Sequence, residues 1–232
     1  MGRFVEVSAE AGDEVGLAHE GDAGRVLMLA ADGSEIDGDV MEAVLAIDLK
    51  ARGCLPGNVA VSTVMTNLGF VHAMREAGIE VLQTKVGDRY VLEAMREGGY
   101  ALGGEQSGHM ILLEHNSTGA GLMTACQFLA AVRRSGKPVE EAIKVMTRFP
   151  QTLINVRVQD KHALEGNEAI WGAVRAAEEA MGDAGRVLVR RAVPPRRAHQ
   201  CPSRLLHDGY ARVPRRGRGV LLFAGAERKK KR

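Results

Sequence analysis

Aromatic residues make up only 4% of this 232-residue chain, so a core drawn from its 45% apolar content must be mostly aliphatic. There are three cysteines, Cys54, Cys126 and Cys201, an odd number with no CxxC pair. That usage argues against a disulfide framework and a Cys-based zinc site, and it suits reduced thiols in the cytoplasm. No run approaches the roughly 18 apolar residues of a membrane span. The opening MGRFVEVSAEAGDEVG carries acidic residues where a secretory leader needs an apolar stretch, so none is expected. The length suits one large or two small domains.

The net charge of +2 conceals a split. Residues 190–232 hold 14 Lys/Arg against 2 Asp/Glu, whereas residues 1–189 hold 17 against 27. The first segment is an acidic globular chain. The second is rich in Arg, Pro and Gly and lacks lasting periodicity, so disorder is expected there. Within it only LLHDGYARV and GVLLFAG have the pattern to pair as short strands.

Residues 1–189 alternate strand and helix signals. DEVGLAH and VLMLA read as strands. IDGDVMEAVLAIDLKARG reads as a helix with Val40, Val44, Leu45 and Leu49 on one face and Gly53 at its C-terminal cap. Residues 58–66 are a β-branched strand, LGFVHAMREAG a helix, 79–86 a strand, and DRYVLEAMREGG a helix with Asp88 as N-cap. Residues 109–115 read as a strand. Thr118–Ser135 reads as a helix with Leu122, Cys126, Leu129 and Val132 on one side, and KPVEEAIKVMTRF as a short helix. This order predicts an α/β domain, a layered mixed sheet with helices, over about 26–147. A strand, helix and strand then begin a partial α+β unit over 148–189.

In layered sheets ligands gather beyond the carboxyl ends of strands. EGDAGR, TKVGDR and GGEQSGH (103–109) all fit that place. The last crowds Glu105, Gln106, Ser107 and His109 into one loop. Its glycines, 103, 104 and 108, are expected to take positive φ and approach a ligand. Such donors and acceptors suit a polyhydroxylated ligand; a polar hairpin turn is the plain alternative. Lys85 and Arg89 alone would read as solvated surface charges.

Together EGDAGR, TVMTNLGF, TKVGDRYV, GGEQSGH and RFPQTLINVRV resemble the α-D-phosphohexomutase superfamily over about residues 5–190. The resemblance implies an isomerase of hexose phosphates that moves a phosphoryl group through a phosphoserine. Gln106 is similar to what members acting on glucosamine phosphate carry, which implies interconversion of glucosamine 6- and 1-phosphate for cell-wall precursors. It further implies that residues 1–25 end the second of four domains, 26–147 form the third and 148–189 begin the fourth. EGDAGR corresponds to a magnesium loop that reads DGDADR in the family. Glu20 and Asp22 keep two carboxylates, and Gly24 has lost the third, so Mg²⁺ is expected to bind weakly. Arg25 matches the arginine beside the phosphoserine. Lys85 matches a lysine near the transferred phosphate. Glu105 and Ser107 match the pair that grips sugar hydroxyls, with His109 as loop support.

The family's phosphate loop reads RPSGTEP after VLV. Here Arg190 remains and RAVPPRRAHQ follows, as a shift of reading frame at residue 190 would produce. The resemblance also places the phosphoserine upstream of this chain, so a fragment with sugar recognition and little turnover is expected. The alternatives are a phosphomannomutase or phosphoglucomutase relative, and a non-catalytic sugar-phosphate binder with a basic, nucleic-acid-binding tail. A solvated tail is the stronger expectation of those two roles for 190–232.

Overall fold

The computed structural model describes residues 14–157, 164, 166–191 and 219–226, and the chain divides into two units, Met1–Arg148 and Phe149–Arg232. In the first unit, β1 (Val15–His19) and β2 (Val26–Ala30) pair antiparallel from Val15↔Ala30 to His19↔Val26. A short β3 (Glu35–Ile36) joins the far side of β2. The expected domain boundary between residues 25 and 26 falls inside this hairpin. It would cut a hairpin whose ladder hydrogen bonds tie the two strands into one sheet.

The first helix, α1 (Gly38–Ala51), starts where Asp37 accepts the Val40 N–H at 3.1 Å and stops before Gly53, whose φ is +70°. The sequence suggests one apolar face. In fact every residue from Gly38 to Ala46 is buried, as befits a helix enclosed on all sides. Asp39 and Glu42 are carried into the interior with it.

The second sheet has the order β5-β4-β6-β7. β4 (Val59–Thr63) pairs parallel with β5 (Glu80–Thr84) and β6 (Leu102–Gly104), and β7 (Met110–Leu112) returns antiparallel to β6. The mixed, helix-covered sheet is the one expected. β4 is buried along its whole length, which explains why VAVST has no alternating polar residues. Its residues serve two cores: Ala60 packs into the cluster containing Leu45, Phe70 and Phe128, and Val61 packs with Val91, Met95 and Ile111. The first cluster draws on α1, α2 (Leu68–Glu76) and α4 (Gly121–Ser135); the second on α3 (Asp88–Gly98).

Two helix expectations need correction. Asp88 is the first residue of α3; the N-cap is Gly87, at φ +130°, a conformation that favours glycine. The buried side of α4 is Thr124, Ala125, Phe128, Ala131 and Val132, while Leu122 is 63% exposed and Cys126 is exposed. Phe128 supplies far more apolar area than Cys126, and it sets the rotation of the helix. A short α5 (Val139–Ala142) follows.

In the second unit β8 (Gln151–Arg157), β9 (Gly185–Arg191) and β10 (Gly219–Ala226) form an antiparallel sheet of order β8-β10-β9, with α6 (Glu168–Met181) between β8 and β9 in the chain. Among the described residues Leu164 and Val189 are buried there, and the Trp171 indole N–H donates to the Leu164 carbonyl at 3.0 Å. Within the segment for which disorder is expected, 190–191 and 219–226 lie in strands. GVLLFAG lies between two strands, so its peptide groups gain ladder hydrogen bonds on both sides. LLHDGYARV, the other expected strand, lies outside the described residues.

Candidate functional site

Three parallel strands end at the same edge of the second sheet. β4 runs into Thr66 and Asn67, β5 into Lys85–Asp88, and β6 into the loop Glu105–His109. The loop is thus the tight connection of an antiparallel hairpin, with Glu105 N–H donating to the His109 carbonyl at 2.9 Å. Only Gly108 of its glycines has positive φ, +88°. Gly103 and Gly104 are strand residues, and their lack of a side chain answers crowding: a Cβ at 103 would lie 2.5 Å from Met95 Sδ, and one at 104 would lie 2.3 Å from Met110 Cε. The expectation of positive φ at all three is overturned at those two.

The expected site residues of the first unit come together. Glu105 Oε1 accepts the Gly87 N–H at 3.0 Å, so its carboxylate sits at the positive end of α3. Arg25 and His109 form a β-bridge, and the Val26 N–H donates to the Gly108 carbonyl at 3.2 Å, which joins the 20–25 loop to the 103–109 loop. His109 Nε2 accepts the Gly119 N–H at 3.1 Å and lies 3.9 Å from Asp88 Oδ2. Its ring therefore braces three segments. Ser107 Oγ is buried and has no hydrogen-bond partner. Gln106 gives its carbonyl to the Gly38 N–H at 3.0 Å. Lys85 Nζ stands 5.9 Å from the centroid of the Tyr90 ring, a cation–π distance. Arg89 points elsewhere, pairing with Glu93 at 2.7 Å on the exposed face of α3. Arg190 belongs to β9 of the second unit, where its Nε is buried without a hydrogen-bond partner.

In the 20–25 loop a turn is closed by the Ala23 N–H donating to the Glu20 carbonyl at 2.9 Å, and Ala23 takes φ +54°, a region uncommon for residues with a side chain. Glu20 pairs with Arg25 at 3.0 Å. Asp22 accepts the Gly24 N–H at 3.0 Å, which holds its carboxyl below the usual range. Burial and the nearby Asp22 raise Glu20, against the pull of Arg25. Two hard carboxylates side by side fit the oxygen chemistry a magnesium ion selects. Among the described residues no group of three or more His, Cys, Asp or Glu side chains is arranged to hold a metal. The loop therefore offers two anionic ligands.

Sequence reasoning overlooked the layer beneath. Asp37, Asp39, Glu42, Ser62, Thr66 and Asn67 are all buried below the 105–109 loop and the end of β4. Asp39 Oδ2 accepts the Asn67 N–H at 2.8 Å, and Arg148 reaches Asp37 at 2.8 Å. Gly38 is pressed against the loop: a Cβ there would lie 1.9 Å from the Glu105 carbonyl oxygen. The signal was present in IDGDVMEA, where acids interrupt an otherwise apolar helix.

Residues 37–149 match the family described as phosphoglucomutase/phosphomannomutase, alpha/beta/alpha domain III. The chain is 55% identical over 181 residues to a phosphoglucosamine mutase of Thermobifida fusca, covering 78% of this chain and 40% of that protein. It is 50% identical over 188 residues to one of Brevibacillus brevis, covering 81% and 42%. The chain thus spans about two fifths of the length of these relatives. A phosphoglucomutase/phosphomannomutase family protein of Burkholderia thailandensis shares the fold, with TM-score 0.69 at 21% identity over 96% of this chain and 44% of that one. An Aspergillus fumigatus N-acetylphosphoglucosamine mutase, solved with GlcNAc-6P and magnesium, gives 0.65 at 15% identity over 90% and 45%. With its mixed sheet, its hairpin loop and this match to domain III, the chain belongs to the phosphoglucomutase/phosphomannomutase family.

Proposed function

We propose that this chain supplies the sugar-gripping part of a phosphoglucosamine mutase, acting on glucosamine 6-phosphate and glucosamine 1-phosphate. The observation that supports this best is the 105–109 loop itself. Its Glu105 carboxylate is fixed through one oxygen, and its Ser107 hydroxyl is buried and unpartnered. In this reading Glu105 accepts hydrogen bonds from sugar hydroxyls, and Ser107 gains the partner it lacks. Gln106 favours an amino over a hydroxyl substituent. Lys85 and Arg25 set positive charge against the phosphate, where it counts most as charge develops during phosphoryl transfer. Arg190 holds the phosphate that does not react. Glu20 and Asp22 hold Mg²⁺, which when bound supplies Lewis-acid stabilisation of phosphoryl oxygen.

No helix among the described residues is long and apolar enough to cross a membrane. The proposed substrate and the free, exposed thiols of Cys54 and Cys126 suit the cytoplasm.

Titration of the ¹⁵N-labelled chain with glucosamine 6-phosphate tests the reading. Amide shifts at 85–88 and 105–109 are expected, and a titration that moves none of them overturns it. A second reading, sugar-phosphate binding without turnover, is favoured by the two-carboxylate 20–25 loop. A coupled mutase assay separates the two, since conversion by the chain removes the second reading.

A further inference from the structure

Glu42 sits in the middle of α1, fully buried, with no basic side chain against it. Its Oε2 meets Ser62 Oγ at 3.2 Å, and its Oε1 has no hydrogen-bond partner. The charged groups facing it are Asp39 on its own helix and Glu105 on the loop, both acidic. Burial first, and then these two neighbours, push its carboxyl well above the usual range. A fully buried carboxyl with no cation against it is disfavoured as the anion, and in its acid form it can donate a hydrogen bond.

Ser62 has a single hydroxyl proton and three polar neighbours: Glu42 Oε2, Thr66 Oγ1, and the Gly104 carbonyl oxygen at 3.3 Å. A carbonyl only accepts. Ser62 can thus give its proton to Gly104 when Glu42 donates to Ser62. An ionised Glu42 would draw that proton to itself and release Gly104. Gly104 is the last strand residue before Glu105, and it is packed on the acid: a Cβ there would lie 3.0 Å from Glu42 Oε2.

We propose that Glu42 is a positioning residue for the 105–109 loop. Its carboxyl donates through Ser62 to anchor the Gly104 carbonyl, and so fixes the backbone from which Glu105 reaches the ligand. The role deepens, and rests on, the sugar-binding reading of that loop.

The test compares Glu42→Gln, Glu42→Leu and Ser62→Ala in the full chain. Glutamine is neutral and offers an N–H in place of the acid proton, so it should keep the ligand-free amide resonances of 104–109 at their wild-type positions. Affinity for glucosamine 6-phosphate should then stay within about twofold of wild type. Leucine, and alanine at position 62, should shift those resonances while leaving the amides of β5 in place, with affinity lower by about tenfold, as loss of a buried hydrogen bond implies. Equal disturbance by Gln and Leu would overturn the proposal, as would unmoved 104–109 resonances in Leu. If Leu fails to fold, Gln against Ser62→Ala decides it in the same way. Absence of any sugar-phosphate binding by the wild type would sink the proposed function, and the ligand-free resonances would still decide the role of Glu42.

Discussion

The Glu105 carboxylate accepts the Gly87 peptide N–H at 3.0 Å, tying the loop after β6 to the loop after β5. Glu105 is thereby both a ligand candidate and a strut. Removing it should cost sugar-phosphate affinity by the worth of a hydrogen bond to a charged group, about 1.5–3 kcal/mol. Glu105→Ala should weaken glucosamine 6-phosphate binding by at least tenfold, on the scale where ~1.4 kcal/mol is a factor of ten. Glu105→Gln keeps the bond to Gly87 and should lose less. Calorimetric titration of the two variants checks the order; equal losses would mean the charge itself is what matters.

Gly38 offers a prediction of sign. In an ordinary helix Gly→Ala stabilises by up to about 1 kcal/mol. Here the new Cβ would lie 1.9 Å from the Glu105 carbonyl oxygen and 2.8 Å from the Gly108 nitrogen. Gly38→Ala should therefore lower the unfolding midpoint and displace the 105–108 backbone. Overpacking of this kind costs about 1–3 kcal/mol. A raised midpoint in thermal denaturation would refute the close seating of loop on helix.

At the 20–25 loop, a Cβ on residue 24 would lie 3.2 Å from Asp22 Oδ1. An aspartate there adds its carboxylate beside Asp22 and near Glu20. Without metal, three like charges repel, and Gly24→Asp should unfold at lower temperature in EDTA. With Mg²⁺ the added anionic oxygen should tighten binding and restore the midpoint. Equal Mg²⁺ affinity in the two forms, read by calorimetry, would mean that position 24 does not face the ion.

Most of the first unit was legible because its elements announce themselves. The β-branched run 59–63 and the capped, apolar α1 follow from local rules. The convergence of EGDAGR, TKVGDR and GGEQSGH was legible from strand order alone. What escaped were tertiary effects. The rotation of α4 follows the bulk of Phe128, which a count of apolar positions does not weigh. The crowding at Gly38, Gly103 and Gly104 comes from residues distant in sequence, so those glycines read as flexible when they are compressed. GVLLFAG could be read as a short strand, but its pairing with β8 and β9 is non-local and could not.

The buried acids of α1 make stability depend on pH. Asp39 is fully buried; desolvation, then the nearby Asp37, raise its pKa to about 8, against the pull of the Asn67 N–H, Arg148 and Thr66. Burial also raises Asp37, despite the Arg148 guanidinium at 2.8 Å. In the unfolded chain an aspartate titrates near 3.9. Between that value and about 8 the folded chain holds a proton at Asp39 that the unfolded chain has released. Stability must then fall as pH rises through this window. Glu42, raised likewise by burial, adds a slope of the same sign. Asp39→Asn removes the titrating proton and retains a neutral side chain that can accept the Asn67 N–H. Its unfolding midpoint should decline less between pH 5 and about 8 than that of the wild type, and should exceed it at the upper end. Denaturant unfolding of both forms at several pH values measures the difference. Parallel pH profiles would show that Asp39 does not hold the proton.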